Sequence, residues 1–144
     1  MTSNRLPFWF EDDCLGATPA EIDAAERHIG FPLPAGLREL LLEKDGGVSN
    51  YAAYVRNGEE YPLLPFLGGS PHRGESLMLA ADSCASSGIP AGIVPFALDG
   101  HSWWGLDYRT NPGEPTIVFS EDEEHDCELV ARSFSEFLKG LIQG

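Results

Sequence analysis

The chain has 144 residues, 42% hydrophobic and 10% aromatic, which supports a real core and excludes a disordered segment. Nine basic against 23 acidic residues leave a formal net charge of −14. That balance argues against nucleic acid or an anionic membrane surface as a ligand, since both call for clustered Lys and Arg, and favours a basic partner with salt-dependent association.

Near the N-terminus, Phe8, Trp9 and Phe10 precede Glu11, Asp12 and Asp13, an aromatic cluster before an acidic triplet. Thr18-Pro19-Ala20-Glu21 is a helix start: Thr18 can cap, Pro19 fits the first helical position, and Glu21 completes a capping box. Ile22, Ala25 and Ile29 share a face, and Gly30 can stop the helix. Residues 31–34, Phe-Pro-Leu-Pro, form a rigid connector. A second helix carries Leu37, Leu40 and Leu41 on one stripe and ends at Asp45-Gly46-Gly47.

Strands are expected at 51–56 and 61–67, then a loop at 68–71. A middle helix over 75–87 would turn Leu77, Ala80, Ala81 and Cys84 inward. Further strands are expected at 93–98, 103–108 and 116–120, the last two joined across Asn111-Pro112-Gly113-Glu114-Pro115. Ser133-Phe-Ser-Glu136 is a second capping box opening a terminal helix that buries Phe134, Phe137, Leu138 and Leu141; a start nearer Glu128 stays open. The expected fold is α+β: a central, mostly antiparallel sheet, containing 51–56, 93–98, 103–108 and 116–120, with two N-terminal helices, a middle helix and a C-terminal helix. A single domain over 1–144 is expected.

The segment 99–109 is the most informative. Asp99-Gly100 makes a turn, and Trp103 and Trp104, adjacent on a strand, must point to opposite faces. One is expected in the core and the other partly exposed, beside Asp99 and Asp107, as a docking anchor. The run Glu121 to Glu128 holds six carboxylates, and no Lys or Arg lies between Arg109 and Arg132. Glu121, Asp122, Glu123, Glu124 and Asp126, extended by Glu11, Asp12 and Asp13, are the expected binding face for a basic partner.

Catalytic and metal chemistry find little support. Asp99, His101 and Ser102 are triad residue types, but neighbours on one turn do not reach relay geometry, and no GxSxG elbow is present. His125 and Cys127 could share a strand face, yet a structural zinc needs four ligands. The run 121–128 lacks the Gly and spacing of a calcium loop. Gly46-Gly47 and Gly68-Gly69 lack the GxxxxGK pattern of phosphate loops and read as turns. No cofactor, metal or enzymatic activity is expected. Cys14, Cys84 and Cys127 are odd in number and scattered, the N-terminus lacks an apolar signal region, and no run approaches a membrane span. Cytoplasmic location with free thiols is therefore expected.

Three blocks carry a resemblance. Residues 18–26 (Thr-Pro-Ala-Glu-Ile-Asp-Ala-Ala-Glu), Gly30-Phe-Pro-Leu-Pro34, Leu37 to Leu42 and Asp45-Gly46-Gly47 resemble the opening of the SUKH superfamily, named partly for a fungal regulator of cell-wall assembly. Ile93-Val-Pro-Phe96, Asp99-Gly-His and Trp103 to Arg109 are similar to its central strands. Ala131-Arg-Ser-Phe-Ser-Glu-Phe-Leu138 is similar to its closing helix. Together they span most of 8–142. Asp45 stands where Asn is common, and either can precede a Gly turn. The resemblance implies helix-rich N-terminal residues around a central sheet. Bacterial members are mostly immunity proteins that bind a cognate toxin, often a nuclease, and no catalytic residues carry over. The expected function is neutralisation of a basic protein toxin by stoichiometric binding. The alternative, suggested by the fungal members, is a regulatory or scaffolding module with a housekeeping partner.

Overall fold

The computed structural model describes residues 8–9, 15–70, 76–78, 80–82, 89–99, 102–121 and 127–142. Helix α1 (Pro19–Ile29) begins as its sequence dictates. Thr18 accepts from the Glu21 N–H at 3.1 Å, and the Glu21 carboxylate accepts from the Thr18 N–H at 2.9 Å. Gly30 ends it at φ +93°, a left-handed position that favours glycine. Helix α2 (Ala35–Glu43) buries Leu37, Leu40 and Leu41. Arg38 of α2 pairs back to Asp23 and Glu26 of α1 and holds the two helices together.

Asp45-Gly46-Gly47 joins α2 to the rest of the molecule. The buried Asp45 carboxylate accepts the N–H groups of Gly69, at 2.7 Å, and Ser70, at 3.2 Å. Gly46 sits at φ +85°, and a Cβ there would lie 2.8 Å from the Phe66 oxygen and Gly68 nitrogen, so no larger residue fits. These glycines serve a turn, as expected.

Strands β1 (Ala53–Arg56) and β2 (Glu59–Pro62) form a hairpin across Asn57 and Gly58, at φ 52° and 83°. Both central residues have positive φ, the twist-compatible turn that Asn-Gly supplies. β7 (Leu141–Ile142) pairs with the other side of β1, giving a three-stranded sheet in the order β2-β1-β7. The second sheet is an antiparallel meander of β3 (Ile93–Asp99), β4 (Ser102–Asp107), β5 (Thr116–Ser120) and β6 (Glu128–Ala131). Helix α3 (Phe134–Lys139) follows, with Ser133 accepting from the Glu136 N–H at 3.1 Å.

Four details differ from expectation. The 51–56 strand belongs to the small sheet, not the central one. The 61–67 strand lies earlier, at Glu59–Pro62, because the Asn57-Gly58 turn fixes where pairing starts; Phe66 makes only isolated bridges, to Gly47 and Ala97. Residues 128–131 are a strand, and a bulge between Ile117 and Val118 breaks the alternation that would have marked it. The middle helix covers 77–78 and 80–82 of the described residues, with Leu77 buried; Cys84 lies outside them.

The core sits between the helices and the inner face of the four-stranded sheet. Trp104 is at its centre, 4.7 Å from Phe119 and 4.9 Å from Phe137 between ring centroids, and its indole donates to the Pro62 carbonyl at 2.8 Å. Among the described residues, no helix is long and apolar enough to cross a membrane.

Candidate functional site

Trp103 and Trp104 point to opposite faces of β4, as strand geometry requires. Neither is exposed: Trp104 is fully buried and Trp103 is 6% accessible. The second face of the sheet is covered as well. Trp103 packs there with Ile93 and Val118, bordered by Ile89, Leu98 and Cys127. Its indole lies across Gly105, where an added Cβ would come within 2.7 Å of the ring. Gly105 is the space that lets Trp103 fold flat, so the expected tryptophan docking anchor is absent.

Asp107 is not a docking carboxylate either. It is 8% accessible and accepts from Arg109 Nε at 3.0 Å and Nη2 at 2.9 Å, and from the Arg109 N–H at 3.0 Å. Burial alone would raise its carboxyl pKa, but the Arg109 hydrogen bonds and charge outweigh burial and hold it low.

Asp99 and Glu121 do come together. Asp99 is the register partner of Ser102, whose hydroxyl donates to the Glu121 carbonyl at 3.0 Å, so both exposed carboxylates stand at one end of the sheet. Asp122, Glu123, Glu124, Asp126, Glu11, Asp12, Asp13, His101 and His125 lie outside the described residues. Cys127 is a free thiol; Cys14 is likewise outside. Among the described residues, no three His, Cys, Asp or Glu side chains converge as metal ligands would.

Three features escaped the sequence reading. Tyr61 reaches from β2 to β6, its hydroxyl 2.7 Å from Glu128 Oε2 and 3.0 Å from Glu59 Oε2. One phenol proton serves one carboxylate at a time, so the pair keeps surplus acceptor capacity. The bond to Glu128, then burial, then Glu59 push the phenol pKa up. Arg56 donates to the Leu129 carbonyl at 2.7 Å and ties the same hairpin to β6. The second feature is Leu15, 82% exposed; the third is Leu42, 39% exposed on the outer side of α2. The helical period of α2 was enough to place Leu42 outward; Leu15 lies in irregular chain and carries no periodic signal.

The arrangement contains no converging nucleophile, base and orienting group among the described residues. It offers exposed carboxylates and a few exposed aliphatic side chains, which can recognise but not transform. The family model of the SMI1 / KNR4 family (SUKH-1) matches residues 16–140, close to the span over which the sequence resembled that superfamily. No curated protein matches the chain.

Proposed function

We propose a function from the premise that this chain belongs to the SMI1 / KNR4 family (SUKH-1). It is a non-catalytic binding protein of the immunity type, acting in the cytoplasm as a single domain over 1–144. It neutralises a basic protein toxin by one-to-one occlusion. Family membership is the observation that carries this reading. The net charge of −14 and the paired exposure of Asp99 and Glu121 support it. Long-range attraction steers the partner in, and the carboxylates of the 121–126 run set the association rate more than the final affinity.

The test is direct binding to the toxin encoded beside the gene, followed by stopped-flow mixing at several salt concentrations. The reading expects a one-to-one complex whose association slows as salt rises, and slows further when Glu121 to Glu124 are all replaced by lysine. Absence of a complex at micromolar concentration, or substrate turnover lost in His101→Ala, contradicts it.

A further inference from the structure

With both tryptophans buried, the binding surface needs a different apolar anchor. Helix α2 supplies one. Leu37, Leu40 and Leu41 face the core, which leaves Ala35, Glu39, Leu42 and Glu43 exposed on the opposite side. Leu42 is therefore an apolar residue on a solvent stripe, between two carboxylates. The preceding chain brings a second apolar residue beside it. Ala17 donates to the Leu41 carbonyl at 2.8 Å, Asp45 donates to the Leu15 carbonyl at 3.0 Å, and Gly16 lies so close that a Cβ would be 1.7 Å from the Leu42 oxygen. Leu15 is thus fixed at the last turn of α2 with its side chain in water.

The charges around this pair are unfavourable for the free protein. Glu39 and Glu43 stand four apart on one helix, a like-charge spacing that destabilises. Both lie toward the C-terminal end of α2, where the helix dipole disfavours negative charge, and the last turn holds no basic residue. Arg38 is turned away toward Asp23 and Glu26, and neither Glu39 nor Glu43 has an ion pair among the described residues. A second copy of this chain is a poor occupant, because a two-fold contact would set these carboxylates against themselves. A basic surface is complementary.

We propose that the outward face of α2, together with Leu15, anchors a basic protein partner: an apolar side chain of the partner seats against Leu15 and Leu42, while lysine or arginine side chains flanking it pair with Glu39 and Glu43. This rests on the basic-partner reading above and assigns the contact that outlasts encounter. Desolvated apolar contact acts on dissociation, whereas the remaining acidic surface acts on approach.

The probe is a synthetic amphipathic helical peptide with a leucine stripe flanked by lysines. Its controls are the same peptide with leucines replaced by serine, and with lysines replaced by glutamate. Each is titrated into the full-length isotope-labelled protein and followed by backbone amide shifts. The lysine–leucine peptide is expected to shift Leu15, Glu39, Leu42 and Glu43. Leu15→Ser/Leu42→Ser and Glu39→Lys/Glu43→Lys should each weaken it about tenfold or more, the size expected when a hot spot is removed. The four positions are exposed, and amide spectra of the variants verify that they fold. Shifts confined to Asp99 and Glu121, with both double variants binding normally, overturn this surface and leave the basic-partner reading standing. Equal binding of the glutamate peptide, or no binding by any peptide, overturns both.

Discussion

Helices α1 and α2 are neighbours of similar length, built to opposite rules. α1 has a complete capping box, Pro19 at its start, Glu21 in its first turn, Arg27 and His28 in its last, and a left-handed glycine at its end. Every one of these stabilises an isolated helix. α2 has Pro34 at its N-cap with no side-chain cap bond, no acid in its first turn, and two acids toward its end. It is held by what surrounds it: the buried leucines, Arg38, and the Trp9 indole, which donates to the Leu40 carbonyl at 2.7 Å. A helix that tertiary packing secures so well can carry unfavourable residues on its outer face, and there a binding surface costs least. α1 is optimised for its own stability; α2 is available for contact.

The contrast within α2 is the largest to test. Leu41 is fully buried, so Leu41→Ala should lose about 2–5 kcal/mol of unfolding free energy in urea titration, whereas Leu42→Ala should change it by less than about 0.5 kcal/mol. Comparable losses at both positions would mean that Leu42 belongs to the core.

The next effect is the cap. Thr18→Ala removes the acceptor for the Glu21 N–H and should cost about 1 kcal/mol. Pro34→Ala, at a cap position with no side-chain hydrogen bond to lose, should cost clearly less. Similar costs would erase the distinction between the two helix starts.

Arg38 joins the two helices. Its pKa is raised by hydrogen bonds to Asp23, against an opposing burial effect, and by Glu26. Arg38→Met should lower stability by about 0.5–1 kcal/mol, a modest value because the Asp23 side is solvent-screened. The loss should shrink in 1 M salt, as checked by parallel urea titrations.

The helices also show what the sequence made legible. Thr18, Glu21 and Gly30 announce α1 because capping chemistry is local, and the stripe Leu37, Leu40, Leu41 announces α2 because its period is 3.6 residues. β2 was placed late although Asn57-Gly58 is a strong hairpin signal, since Tyr61 to Leu67 offered a longer apolar run. β6 was hidden by its bulge and by the acidic run before it. The alternation of Trp103 and Trp104 correctly gave opposite faces. It carried no information about what covers the second face, because Ile93 and Val118 come from other strands and Gly105 acts only through the space it leaves. The candidate surface was legible in sign but not in place: net charge is a sum over residues, whereas the pairing of Asp99 with Glu121, the Tyr61 bridge from β2 to β6, and Leu15 beside Leu42 depend on tertiary contacts.

The central claim is that the free protein keeps an unfavourable outer face on α2 for a basic partner. Thermal unfolding of Glu39→Lys/Glu43→Lys tests it most directly, with Glu114→Lys/Glu121→Lys as a control of equal charge change at two other exposed positions. Relief of the like-charge pair and of the dipole conflict should stabilise by about 1 kcal/mol and raise Tm by about 2–4 °C beyond the control. A Tm equal to or below that of the control would show that the face carries no penalty, and would contradict the claim.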